Sequence, residues 1–129
     1  MNEGTIVTRG DDRIGVGGLV YVGGREAAYD AVAGATLRLI INHTPDLVEE
    51  AAARGAHVYL CGHTHGGQVV FGGIIPYLPH GKLSRKYASG LFRLGPDGER
   101  AMVVSNGVGC STLPVRFGAR AQVHILTIG

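Results

Sequence analysis

Three histidines stand where two apolar runs stop. His43 directly follows "LRLIIN", while His63 and His65 follow "HVYLCG" inside the longer stretch "YLCGHTHGGQVV" (Tyr59 to Val70). Neutral imidazole is a common ligand for zinc, iron, nickel and copper, so this spacing points first to metal binding. His63 and His65 are two residues apart, and an extended backbone would send both rings to the same side. Gly62, Gly66 and Gly67 clear side chains from around them, leaving room for an ion and a substrate. A histidine after a strand is more often a hydrogen-bonded or surface residue than a ligand, and "GHTH" alone leaves both readings open. His43 shifts the balance towards metal. Of the others, His57 begins a strand at the opposite edge and reads as structural, His80 falls in a long loop, and His124 lies mid-strand.

The missing ingredient is carboxylate. Hydrolytic two-metal sites use negative ligands to hold two dications ~3.5–4 Å apart. No aspartate or glutamate follows a strand on the His43/His63 edge: Asp11 and Asp12 fall in an early turn, Asp97 and Glu99 flank a later one, and Asp46 opens a helix. From the residues alone, the site is three histidines. That suits a mononuclear zinc centre with an open position, or half of a larger site.

The elements that must position these residues are legible in outline. "GTIVT" (Gly4 to Thr8) and "RIGVGGLVYVGG" (Arg13 to Gly24) read as strands, and "REAAYDAVAG" (Arg25 to Gly34) as a short helix ended by Gly34. "ATLRLIIN" (Ala35 to Asn42) reads as a strand buried on both faces. In "HTPDLVEEAAARG", Thr44 suits the cap, Pro45 the first helical position and Gly55 the exit. Leu47, Val48, Ala51 and Ala52 share one face of that helix. "AHVYLCG" is the next strand, so residues 35 to 62 form a β-α-β unit with parallel strands and a right-handed crossover. Ligands in such sheets gather at the carboxyl ends of strands, which is where His43, His63 and His65 stand. "GGIIPYLPHGKLSRKYAS" (Gly72 to Ser89) reads as a surface loop, whose Lys82, Arg85 and Lys86 could attract a phosphate but are more simply read as solvated charges. "GLFRLG", "RAMVVSN" and "AQVHILTIG" read as three strands, the first two joined at "GPDG". The fold class is α/β, a parallel part followed by antiparallel strands.

Composition narrows the function classes. At 129 residues the chain fits one domain. Its 22 glycines, more than twice the usual ~7 % share, call for tight turns or close backbone approaches. The formal charge is only +2, and the basic residues, ten of twelve being arginine, are scattered, which argues against a nucleic-acid partner. Cys61 and Cys110 form no disulfide framework and are expected as buried free thiols. With neither signal peptide nor apolar stretch of ~20 residues, the chain as it stands is expected in the cytoplasm. A longer parent protein with a membrane association stays compatible with this.

"LIINHTPD" followed some twenty residues on by "LCGHTHGGQV" resembles the calcineurin-like metallophosphoesterases, and most of all their bacterial phosphohydrolase branch. The similarity continues through "YASGLFRLG", "MVVSNGVGCSTLPVRFG" and "VHILTIG", and so covers nearly the whole chain. It implies an αββα sandwich, a pair of packed sheets with helices outside. It also implies two divalent ions (Mn, Fe, Zn, Ni or Mg) and hydrolysis of a phosphomonoester or phosphodiester by a bridging hydroxide. By resemblance, His43 and His63 serve one metal and His65 the other. The family's earlier motifs, Asp-x-His, Gly-Asp-x-x-Asp and Gly-Asn-His-Asp/Glu, do not occur here, and "RGDDRIG" does not fit the second of them. Residues 1–129 therefore correspond to the C-terminal portion of such a domain, without its bridging aspartate or acid histidine. The expectation is a phosphohydrolase scaffold that is incomplete or inactive as an isolated chain, with a phosphate ester as substrate and self-association through an exposed sheet face. The alternatives are a mononuclear three-histidine hydrolase and a non-catalytic assembly module.

Overall fold

The computed structural model describes residues 3–20, 23–74 and 82–128. Two strands, β1 (Glu3–Arg9) and β2 (Asp12–Gly18), form an antiparallel hairpin. Helix α1 (Glu26–Val32) leads to β3 (Leu37–Ile41). A 3₁₀ turn (Pro45–Leu47) then runs into α2 (Val48–Ala53), followed by β4 (Val58–Cys61). The hairpin β5 (Gly90–Leu94) and β6 (Arg100–Val104) turns at Gly95–Gly98. Among the described residues these make one six-stranded sheet in the order β1-β2-β3-β4-β6-β5. Its four inner strands are parallel and its two edges antiparallel.

Strand register sorts the side chains onto two unlike faces, because alternate residues point to opposite sides. Ile40, Tyr59, Cys61, Met102 and Val104 share the face that carries the core, where they pack with Ala28, Tyr29 and Val32 of α1 and Val48 and Ala51 of α2. Gly15 and Gly17 let α1 sit close to β2: a Cβ at Gly15 would meet Val32 Cβ at 2.7 Å, and one at Gly17 would meet Ala28 O at 3.2 Å. The helices are joined by a bidentate pair, Arg25 Nε and Nη2 donating to Glu50 at 3.0 Å each. Tyr87 extends the same face, its ring against Phe92 with centroids 4.9 Å apart.

On the opposite face Val103 is buried, whereas none of Ile14, Val16, Leu37, Leu39, Val58 or Leu60 is, and Val7, Ile41 and Leu91 are exposed. The β3 strand is thus buried on one face, against the expectation of two, because the helices lie on one side of the sheet. Three further expectations change. Pairing of β2 stops at Gly18, short of Gly24. Residues 121–128 form no strand although their apolar residues alternate; Val123 and Ile125 are 84% and 95% exposed, and a strand needs a partner. Cys110 is exposed, whereas Cys61 is buried and free.

Smaller differences follow from local chemistry. Thr44 precedes the turn at Pro45 but makes no side-chain cap, and Gly34 follows α1 without a left-handed conformation. Asp46, expected only to favour its helix, accepts a hydrogen bond from Leu83 N at 2.8 Å. That contact draws residues 83–87 onto the core, with Ser84 and Tyr87 buried inside what reads as a solvated loop. Lys82, Arg85 and Lys86 are exposed as expected, and His80 lies outside the described residues.

His57 holds β4 to β3. Its N–H donates to Arg38 O at 2.9 Å, and Arg38 N donates back to its Nδ1 at 3.1 Å. That acceptor role requires a bare Nδ1. Burial, and then the cations Arg38 and Arg100, hold the imidazole below its ordinary value. The folded protein binds this proton less readily than the unfolded chain, so the contribution is whole above the unfolded value of about 6.5 and is lost as pH falls below it. Chemical unfolding between pH 7.5 and 5 should show stability falling with pH, and less steeply in His57→Asn, whose amide oxygen accepts but does not titrate. Gly15→Ala should destabilise by about 1–3 kcal/mol through overpacking against Val32 and Ala35, measured by the same unfolding experiment at pH 7.5.

Candidate metal centre

The β-α-β connection brings the first two histidines together. Parallel pairing sets Ile41 opposite Leu60, so both chains leave the sheet at one edge. Two backbone bonds continue the ladder past the strands, Asn42 N to Leu60 O at 3.0 Å and Gly62 N to His43 O at 3.1 Å. Beneath them, buried Tyr59 donates its hydroxyl to Thr44 O at 2.7 Å, anchoring the start of the following turn.

Beyond Gly62 the chain turns sharply. His63 and His65 have φ of 71° and 51°, in the left-handed region that non-glycine residues seldom occupy. Thr64 between them is right-handed and fully buried; its hydroxyl donates to Ala88 O at 2.6 Å and accepts from Gly66 N at 3.3 Å. The backbone is therefore not extended here, and the two rings part instead of projecting together. His63 Nδ1 lies 2.9 Å from His43 Nε2, with ring centroids 4.7 Å apart and planes at 67°. His65 Nδ1 instead lies 3.3 Å from Gly109 O and 3.3 Å from Arg116 Nη2.

At 2.9 Å the His43 and His63 nitrogens are within hydrogen-bond distance, and the separation also suits two ligands on one ion. Nitrogens bound to zinc at ~2.0–2.1 Å stand about 3.3 Å apart in a tetrahedron and about 2.9 Å along an octahedral edge. Burial, and then the nearby imidazoles of His63 and His65, lower the pKa of His43. They favour the neutral ring, which is the form that coordinates. Carboxylate remains missing: among the described residues no three His, Cys, Asp or Glu side chains gather to hold one ion. Asp46, nearest in sequence, is engaged by Leu83 N. Cys61 is no substitute, since burial, and then the charge of Asp46, push its thiol up to about 12.

Four residues not singled out in the sequence shape the loop. Gly66 lies so close under the Asn106 side chain that a Cβ there would overlap its amide. Gln68 donates from the histidine loop to Leu113 O, Arg116 donates back to His65 O, and Thr64 fastens the loop to Ala88.

No family model matches the chain, and no solved structure matches it. Among curated proteins, it is 34% identical over 96 residues to the uncharacterized protein YpbG of Bacillus subtilis, which covers 71% of this chain and 31% of that one. It is 32% identical over 92 residues to the uncharacterized metallophosphoesterase YkuE of Bacillus subtilis, covering 70% and 30%. To the phosphodiesterase YaeI of Escherichia coli it is 34% identical over 92 residues, covering 70% and 32%. The chain thus spans about a third of the length of the curated relatives it matches. Over that part of their length, the chain is similar to proteins of the metallophosphoesterase family.

Proposed function

We propose that these residues are the C-terminal portion of a metal-dependent phosphohydrolase domain, acting on a phosphomonoester or phosphodiester. The observation that carries the reading is the 2.9 Å approach of His43 Nε2 and His63 Nδ1 at one edge of the sheet. His43 and His63 would hold one divalent ion, and His65, turned the other way, would serve a second. When bound, such ions polarise phosphoryl oxygens and lower the pKa of a water that attacks phosphorus. The chain's own part is to present neutral imidazoles at fixed separation and to leave space around them. The bridging carboxylate would come from the length that the relatives have and this chain does not. The names metallophosphoesterase and phosphodiesterase among those relatives support the class, and a phosphate ester as substrate.

The mononuclear alternative would need three convergent rings, and among the described residues no such cluster forms. The uncovered sheet face fits a scaffold of two packed sheets. In the isolated chain we expect that face to be covered by self-association.

Two measurements check these readings. Supplied with manganese, the 129-residue chain should hydrolyse an aryl phosphate diester no faster than a variant with His43, His63 and His65 all replaced by alanine. Turnover above that control would mean that the chain holds a competent centre by itself. Light scattering should give a mass above that of a monomer, and Leu60→Lys, placing a charge on the open face, should lower it. A monomeric parent chain would show that the sheet needs no cover.

A further inference from the structure

The segment Asn106–Ala119 is tied to the back of the histidine loop by two side chains. Gln68 Nε2 donates to Ser111 O and Leu113 O at 2.9 Å each, and Ser111 N donates back to Gln68 Oε1 at 2.6 Å. Arg116 reaches further. Its guanidinium donates to Asn106 O at 2.7 Å, His65 O at 3.2 Å and Ala119 O at 3.3 Å, and through Nε to Gly109 O at 3.0 Å; Nη2 is bonded to Gly109 O as well. A planar fork of five N–H donors is suited to this, and a lysine ammonium is not.

These contacts converge on one residue. Arg116 holds the His65 carbonyl, and the backbone there has a φ of 51°, a strained conformation that persists only when its surroundings impose it. Arg116 Nη2 and Gly109 O also both lie 3.3 Å from His65 Nδ1. Gly109 O can accept from an Nδ1–H, whereas both Nη2 hydrogens are already given to Asn106 O and Gly109 O, so the contacts favour the tautomer with the proton on Nδ1. His43 and His63 meet ring to ring instead.

We propose that Arg116 is a positioning residue for His65: it fixes the backbone and the ring of that histidine, while Gln68 separately fastens the tip of the segment at Ser111–Leu113. The importance of this for catalysis rests on reading His65 as a metal ligand, but the geometry itself does not. The test therefore uses metal-free protein, the full chain, and long-range ¹H–¹⁵N spectra of the histidine rings. In Arg116→Lys, the His65 ring nitrogens should shift towards the averaged values of a freely exchanging imidazole, with the His43 and His63 signals unmoved. In Gln68→Ala, amide exchange at Ser111 should speed up while the His65 ring signals stay in place. Unchanged His65 signals in Arg116→Lys would overturn the proposal. So would equal changes at all three histidines, which a general loss of structure would produce. Should Arg116→Lys fail to fold, the parent protein still decides: a slowly exchanging Arg116 Nε–H supports the clasp, and a rapidly exchanging one refutes it. Zinc titration of the same samples reports separately on whether His65 is a ligand.

Discussion

Parallel pairing of β3 with β4 is the constraint on which the site depends. Once Leu39 lies opposite Val58 and Ile41 opposite Leu60, the residues that follow leave the sheet side by side. The bond from Gly62 N to His43 O then fixes one loop against the other. A one-residue slip would turn Ile40 and Tyr59 out of the core, so burial of these two side chains sets the register as firmly as the ladder does. The 2.9 Å approach of two imidazoles follows from packing some distance away.

That pairing was legible in the sequence because each signal agreed with the next. Two apolar runs flank a helix with proline at its start and Gly55, at φ 83°, at its exit. The β5–β6 hairpin was legible for the same reason, its turn carrying Gly95, Pro96 and Gly98. Where a reading depended on partners distant in sequence, it failed. Alternation across residues 121–128 is a strand pattern without a neighbouring strand among the described residues, and one buried face of β3 looked like two. The divergence of His63 and His65 was hidden because positive φ at a histidine has no sequence marker as plain as glycine. Arg116 and Gln68 bond mainly to backbone carbonyls, which every residue carries, so nothing in their spacing announced the clasp.

The sheet is finished on one side only. Two short helices and the segment around Tyr87 cover one face, and the other presents valine, isoleucine and leucine from five of its strands. The proposed metal centre is one-sided as well, with imidazoles at one edge and no cluster of three ligating side chains among the described residues. Both deficits accord with a chain that spans about a third of its relatives' length. Similarity to the metallophosphoesterases thus accords with both features.

The central claim, that His43 and His63 form a shared ligand pair with His65 apart from it, is tested most directly by X-ray absorption at the zinc edge. With one equivalent of zinc bound, the spectrum should fit two imidazole nitrogens at about 2.0–2.1 Å, with oxygen donors completing the shell. The count should fall in His63→Ala and stay at two in His65→Ala. Three imidazoles around one ion, or a count that His65→Ala lowers, would contradict the account.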